Sequence, residues 1–497
     1  MDLLIGDVFR TGARSVPDRI AAAMGERRLT YRELGQHSNQ VAHVFRDLGV
    51  GHQDRLVMWS NTTLDAVPVF AAAAKLGAVF APANALLGVD EAVEMVGLAR
   101  PSLLIVDADH AEAGEVVAQK VGVQMVCMHA SAAAGISLPE AAAAASDDEV
   151  REPALRETDL HVLFFTSGST GKSKGVMLSH RTNYLRTHPG SQLEPRGVML
   201  CMYPLFHMGA WTLALQAWQT QTTIVFSSAD AASLVAAALE WKPTHFNAIP
   251  SVWHRVLDYL EQTGDYSPLA TLRIADSGTS ATPPELLAAV KKAAPYATVR
   301  VFYGATETGA VTLLRHEDME RKPGACGVPQ HSVEVAIAED NGELLVRSAV
   351  IFDGYFDNPE ATSGAFTDDG FFRTGDLAAV DDEGFLSIVG RAKDVIRTGG
   401  ETVSPAEVED ALRHHPALAD VAVVGIPDAQ WGEIVCAVVV VKAGAEPPTV
   451  ATLAEYTADT LARFKRPRRV EIVDLLPRTP ATNQVQRRLL IERLTSQ

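Results

Sequence analysis

Residues Phe165 to His180 read FTSGSTGKSKGVMLSH and follow the apolar run Val162-Leu163-Phe164. Glycines and hydroxyl residues interleaved with Lys172 and Lys174 can aim backbone N–H groups and ammonium charge at phosphate oxygens. The P-loop spacing G-x-x-x-x-G-K-[ST] is met at its end by Gly171-Lys172-Ser173, but its first glycine falls on Thr166. A P-loop NTPase is therefore excluded on spacing, and this loop must work differently or be a plain surface turn. Other stretches carry chemistry as well: YGATETG (Tyr303 to Gly309), FFRTGDLA (Phe371 to Ala378), GRAKDVIRTGGETVSPAEVE (Gly390 to Glu409) and PLFHMGAW around His207. Taken alone, each has an ordinary reading: a helix start for Thr306-Glu307, a turn cap for Asp376, a buried core histidine for His207.

The elements that must position these residues alternate along the chain. RLVMW (Arg55 to Trp59), SLLIVDA (Ser102 to Ala108), TTIVF (Thr222 to Phe226) and VRVFYG (Val299 to Gly304) read as strands. DAASLVAAALEW (Asp230 to Trp241) and PPELLAAVKKAA (Pro283 to Ala294) read as helices, the second with Thr282 and Glu285 at capping-box spacing. Such alternation predicts an α/β protein with largely parallel sheets. Residues 129–159 are rich in Ala, Ser and acids and read as a surface excursion and linker. A boundary is expected around Gly390 to Asp394, before a helix capped by Ser404 and the strand-like ADVAVVGI and IVCAVVVVK.

The chain has 497 residues, enough for more than one domain, and a net charge of −18, which argues against a nucleic-acid protein. Cys127, Cys201, Cys326 and Cys436 show no paired spacing, which fits a reducing compartment and offers no zinc site. MDLLIGDVFR lacks a positive-then-apolar signal, and Pro68 and Lys75 interrupt the apolar region Ala66 to Phe80. The expectation is a cytoplasmic protein.

The order and spacing of these motifs, together with LTYRELGQHSNQVAHVF, KLGAVFAPAN and GYFDNPEAT, resemble the AMP-forming acyl-CoA synthetases of the acid-adenylating superfamily, over nearly the whole chain. The resemblance implies an acid:CoA ligase that uses ATP, Mg²⁺ and coenzyme A: the acid attacks the α-phosphate to give acyl-AMP and pyrophosphate, and a thiol then displaces AMP. It further implies an N-terminal domain over residues 1–389, built from two packed α/β subdomains and a small β-rich one. A hinge at 390–394 and a mobile α+β C-terminal domain at 395–497 complete it.

By the same resemblance, Thr166, Ser167, Gly168, Ser169, Thr170, Gly171 and Lys174 contact the phosphates, with Ser173 where the family commonly has Pro. Thr306 meets the α-phosphate and Glu307 is the Mg²⁺ carboxylate. Gly278, Thr279, Ser280, Tyr303 and Gly304 flank the adenine; many relatives carry Gly-Gly-Ala near Gly278-Thr279-Ser280, so Thr279 and Ser280 narrow this region. Asp376 and Arg391 hold the ribose, and Gly399 and Gly400 line the CoA path. The segments Met208 to Thr212, Phe246 to Trp253 and Ser277 to Ser280, the last including Thr279, line the acid pocket; His207, Met208, Gly209, Ser251 and Ser277 border the acid, with His207 as a gate, and Lys393 is the hinge. The expected partners are a carboxylic acid, ATP and CoA, with no nucleic acid, no integral membrane segment and a homodimer allowed for.

One position departs. Where relatives place a lysine near the end, TNQVQRR puts Gln484, which brings hydrogen-bonding capacity without charge. Three explanations stay open: Arg487, Arg488 or Lys465 compensates; the residue is a change made to hold one conformational state; or this is a specialised member in which adenylation is slow while thioester formation survives. Two alternatives stay open beside the ligase: an adenylating enzyme that loads a carrier-protein thiol, and a non-catalytic acyl-adenylate or nucleotide sensor.

Overall fold

Short β-branched runs between helices pack as parallel strands because both of their faces can be covered by the connecting helices. The structure, a computed structural model, describes residues 2–129, 135–167, 173–188, 197–280, 282–398, 401–428, 430–479 and 483–495. The chain divides into two compact units: residues 1–321 with 348–366, and residues 322–347 with 367–497. Residues 322–347 and 367–389 thus group with the C-terminal residues. One reason is local: Ser404 donates its hydroxyl to the Val389 carbonyl at 2.5 Å, tying the strand Leu386–Arg391 to the helix Pro405–Leu412.

The first unit contains two sheets. In one, the strands Thr298–Ala305, Ile274–Gly278, His245–Ala248, Val198–Cys201, Thr223–Phe226 and Ile20–Met24 lie side by side and parallel. Gly309–Arg315 and Arg27–Thr30 flank them antiparallel. The order reverses at Val198–Cys201, whose two neighbours follow it in sequence on opposite sides. In the other sheet, Leu160–Ser167, Val79–Ala83, Arg55–Trp59, Leu103–Val106 and Gln124–Cys127 are parallel, and Ser173–Ser179 returns antiparallel on Leu160–Ser167. In the second unit, Val333–Ile337, Glu343–Ser348, Phe372–Val380 and Leu386–Arg391 form one sheet. The long pair Leu418–Asp428 and Gly432–Val441 anchors another. The architecture is α/β, as the alternation predicts. No helix among the described residues is long and apolar enough to cross a membrane.

Aromatic residues join the two sheets of the first unit. Phe70, on the fully buried helix Ala66–Leu76, stacks on Trp211 at 4.2 Å and meets Phe80 edge-on at 5.2 Å. Trp211 and Trp218 belong to the helix Met208–Gln219, and Trp218 donates its indole N–H to the Ala21 carbonyl at 3.0 Å. Lys75 on the same buried helix donates to the Gly35 carbonyl, Ser38 Oγ and Asn39 Oδ1 at 2.7–3.1 Å, so its ammonium is satisfied without water.

Three local expectations are corrected. Thr282 does not cap its helix: Pro284–Ala293 has no side-chain cap, and the Thr282 hydroxyl bonds Ser277 Oγ at 3.0 Å instead. Ser404 likewise spends its hydroxyl on Val389 and caps nothing. The stretch 129–159 is no mere surface excursion. Val150 and Leu155 are buried in it, and its carbonyls at Asp147 and Val150 accept from Asn39 and Arg10.

His161 and His180 are buried with ring centroids 4.7 Å apart. Each ring uses Nδ1, bonding Asn183 Nδ2 and the Ile5 amide respectively, and the Nε2 atoms have no partner. Burial pushes both pKa values down, that of His180 to about 3. The unfolded chain binds a proton at each near about pH 6.5, so stability is full above that pH and falls as pH drops toward the folded values. The expected slope is about 1.4 kcal/mol per pH unit for each histidine. Unfolding midpoints measured between pH 7 and 5 should fall accordingly, and more shallowly in His161→Gln, which keeps an acceptor but does not titrate.

Candidate active site

In an open α/β sheet, ligands settle beyond the carboxyl ends of the strands, where the strand order reverses. Four adjacent strands of the first sheet deliver expected site residues at that edge. Val198–Cys201 leads to Tyr203 and His207, and His245–Ala248 leads to Ser251. Ile274–Gly278 ends in Ser277 and Gly278 before Thr279 and Ser280, and Thr298–Ala305 carries Tyr303 and Gly304 into Thr306 and Glu307. Gly278 is required by packing: a Cβ there would lie 2.8 Å from the Phe302 carbonyl oxygen.

Thr306, Glu307 and Thr308 form a tight turn between antiparallel strands, with Ala305 opposite Gly309, so the helix-start reading of Thr306-Glu307 is replaced by a hairpin. The crossing is close enough that a Cβ on Gly304 would fall 2.0 Å from the Gly309 carbonyl oxygen. Thr308 is buried and closes the turn internally, accepting from the Ala305 amide and donating to the Gly309 carbonyl, both at 2.9 Å. The main chain is held from outside as well. The Glu307 carbonyl accepts from the Phe352 amide at 2.8 Å, and the Arg186 guanidinium donates to the carbonyls of Thr306 and Glu307 at 2.7 and 2.5 Å. The side chains of Thr306 and Glu307 stay half-buried.

The glycine-rich loop joins two strands of the other sheet in a hairpin, with Thr166 opposite Lys174 and Ser167 opposite Ser173. That geometry explains the failed P-loop spacing, since a P-loop feeds a helix and this segment feeds a strand. Gly168, Ser169, Thr170 and Gly171 lie outside the described residues. Lys174 Nζ sits 4.6 Å from the ring centre of Tyr355, a cation–π contact, and the Tyr355 hydroxyl donates to Glu307 Oε1 at 3.1 Å. Burial, then the Glu307 carboxylate, push the Tyr355 phenol up, so it remains a donor at neutral pH. Tyr355 thus bridges two expected phosphate-site residues. It falls within GYFDNPEAT, but no spacing rule connects it to Glu307. Arg186 carries no sequence signal at all.

His207 Nδ1 accepts the Gly209 amide at 3.0 Å, capping the helix that begins at Met208, and its ring stacks on Tyr203 at 5.7 Å. Burial pushes its pKa down to about 4, so it is a neutral imidazole with Nε2–H as donor at neutral pH. Ser251 Oγ is shielded from solvent and has no hydrogen-bond partner among the described residues.

The second unit holds the remaining expected residues. Asp376 is buried, and Arg391, opposite it on the next strand, places Nε 3.0 Å from Asp376 Oδ1. Lys393 is exposed in the turn before Ile396–Thr398. Gly399 and Gly400 lie outside the described residues. Gln484 is exposed; its amide donates to Thr479 Oγ1 at 3.0 Å, and its carbonyl accepts the Thr479 amide at 2.8 Å. The cations expected to compensate already face acids: Lys465 pairs with Glu407 at 2.5 Å and Arg487 with Glu409 at 2.6 Å. Arg488 is exposed, 3.5 Å from Glu492.

Among the described residues no group of three or more His, Cys, Asp and Glu could cage a metal. A single tethered carboxylate, Glu307, fits a hard cation that draws most of its oxygens from phosphate and water.

The AMP-binding enzyme family matches residues 9–356, and the AMP-binding enzyme C-terminal domain matches residues 407–482. The long-chain-fatty-acid–CoA ligase FadD13 of Mycobacterium tuberculosis is 30% identical over 492 residues, covering 94% of each chain. Feruloyl-CoA synthase of Amycolatopsis sp is 31% identical over 485 residues, again covering 94% of each. ATP-bound MatB from Rhodopseudomonas palustris has a TM-score of 0.89 at 28% identity, covering 99% of each chain. The chain belongs to the AMP-binding enzyme family. Its class is the AMP-forming acid:CoA ligases, with a carboxylic acid, ATP and CoA as substrates and Mg²⁺ accompanying ATP.

Thr279 has φ +68, a left-handed conformation that a β-branched residue adopts only under strain. Thr279→Gly should raise stability by about 1 kcal/mol in denaturant titration. In the same variant, acids with bulkier bodies should gain in kcat/KM relative to slim ones.

Proposed function

We propose that the first unit activates an acid with an apolar body, the feature shared by the fatty acyl and feruloyl groups named for the relatives. The observation that carries the reading is the Glu307 carboxylate fixed by Tyr355, whose ring in turn seats Lys174. A carboxylate attacking the α-phosphorus while the bond to pyrophosphate breaks brings anion against anion, so charge must be neutralised where it builds up. Lys174 and the amides of the glycine-rich hairpin hold the β- and γ-phosphates, and the Thr306 hydroxyl donates to an α-phosphate oxygen. Glu307 holds Mg²⁺, which supplies positive charge to the triphosphate. His207, neutral and donating from Nε2, borders the acid carboxylate, and Ser251 Oγ offers an unused hydroxyl nearby. In the second half-reaction the CoA sulfur attacks the acyl carbonyl and the bond to AMP breaks.

On the second unit, the Asp376–Arg391 pair has the chemistry to take the ribose diol: Asp376 accepts from the hydroxyls and Arg391 donates to their oxygens. Exposed Lys393 is the hinge between residues 1–389 and 395–497, and Gly399 and Gly400 line the CoA path. Four free cysteines support a cytoplasmic setting, and the net charge of −18 supports small-molecule rather than nucleic-acid partners. A homodimer is the assembly to weigh by sedimentation.

AMP release from ATP, acid and CoA, compared over short, long, aromatic and polycyclic acids, tests the activity; binding of ATP without AMP release in the presence of thiol would overturn it. Gln484 should make the first step slow. Gln484→Lys should speed adenylation roughly a hundred- to thousand-fold and leave thioester formation from supplied acyl-AMP unchanged. Equal adenylation rates in the two proteins would remove Gln484 as the limiting residue.

A further inference from the structure

The short helix His180–Arg186 turns three side chains inward at i, i+3 and i+6. His180 accepts from the Ile5 amide, Asn183 bonds His161, and Arg186, at the last position, reaches under the Thr306–Glu307 turn. Its guanidinium makes three charge-assisted hydrogen bonds: Nη1 to the Thr306 carbonyl at 2.7 Å, Nη2 to the Glu307 carbonyl at 2.5 Å and Nε to the Val350 carbonyl at 2.6 Å. Nη1 also lies 4.0 Å from the Met208 sulfur, at the start of the helix that His207 caps. Among the described residues no carboxylate pairs with Arg186; Asp353 and Glu307 act on it through space. Arg186 is half-buried, and holding a cation among carbonyls there costs desolvation that its three hydrogen bonds partly offset. An apolar residue would do as packing alone. The charge and its planar fork therefore point to a task.

We infer that Arg186 is a positioning residue for the first half-reaction: it locks the main chain of Thr306 and Glu307 so that their side chains meet ATP and its metal ion in one orientation. The inference rests on the roles given to Thr306 and Glu307 above. In a trans peptide the carbonyl and the following N–H point opposite ways. Two successive carbonyls turned onto Arg186 therefore turn the amides of Glu307 and Thr308 away from it and leave the turn a single conformation. Lysine offers the charge but a single nitrogen, which cannot span three carbonyls in a plane. Tyr355 fixes the Glu307 carboxylate from the other side, so Arg186 and Tyr355 together hold both ends of that residue.

Misplacement of a reacting group by about 1 Å can cost roughly a hundredfold in rate. Three measurements on the full chain test the inference in Arg186→Gln and Arg186→Lys: calorimetric affinity for ATP with and without Mg²⁺, acid-dependent pyrophosphate–ATP exchange across a Mg²⁺ series, and transfer of acyl groups from supplied acyl-AMP to CoA. Arg186→Gln should need about tenfold more Mg²⁺ for half-maximal ATP binding. Its exchange rate should fall about a hundredfold, with transfer from acyl-AMP within about threefold of the parent, since that step makes no demand on Glu307. Arg186→Lys should lie between the two. Unchanged Mg²⁺ dependence alongside a lowered melting temperature would reduce Arg186 to scaffold and overturn the inference, as would equal losses in both half-reactions. If Arg186→Gln does not fold, Arg186→Lys decides alone, because a parent-like Mg²⁺ requirement there refutes the need for the three-carbonyl fork. Should the parent exchange pyrophosphate with no acid at all, the ligase reading fails, while the calorimetric comparison still judges Arg186.

Discussion

A turn of three residues cannot hold a carboxylate still by itself, and most of the first unit's local structure answers to that limit. Thr308 closes the Thr306–Thr308 turn from within, and the near collision of Gly304 with Gly309 fixes its width. Neither reaches the Glu307 side chain. Rigidity is imported from three separate segments: the helix ending at Arg186, the strand pair bearing Lys174, and the 350–355 stretch with Phe352 and Tyr355. The last is itself pinned, because Asp353 accepts from the Ser179 amide at 2.6 Å and from the Ser179 hydroxyl at 3.1 Å. The placing of the Glu307 carboxylate is thus the product of long-range folding. That suits a reaction in which like charges must be brought together without solvent to screen them.

The electrostatics differ between the two units. In the first, the two cations beside the Thr306–Thr308 turn each have a structural seat: Lys174 on an aromatic face, Arg186 among carbonyls. In the second, Lys465 and Arg487 are already paired with carboxylates, so the basic sequence around them carries less available charge than its composition suggests. A run of arginines is a weak guide to function when each has an acid waiting for it. Asp376 and Arg391 pair in the same way across adjacent strands.

Much of this was legible in the sequence because strand and helix periods are local properties. Arg55–Trp59, Thr223–Phe226 and Ala231–Trp241 fall where the patterns put them, and the motif order identifies the family. What failed was competition for hydroxyls. Thr282 and Ser404 have the right spacing to cap helices, but a tertiary acceptor claims each one, and no local rule can foresee that. Thr306-Glu307 misleads for a related reason: the strand that turns it into a hairpin follows the motif and pairs through the Gly304 crossing. Arg186 and Tyr355 were invisible because their importance lies in partners more than forty residues away.

The seam between the two sheets has a consequence for protein engineering. Trp211 stacks on Phe70, donates its indole N–H to the Leu205 carbonyl at 2.6 Å, and sits on the helix that His207 caps. Carving that helix to admit a larger molecule would loosen the joint on which both sheets close. The strained, exposed Thr279 lies off that helix, so a change of shape there leaves the Phe70–Trp211 stack in place.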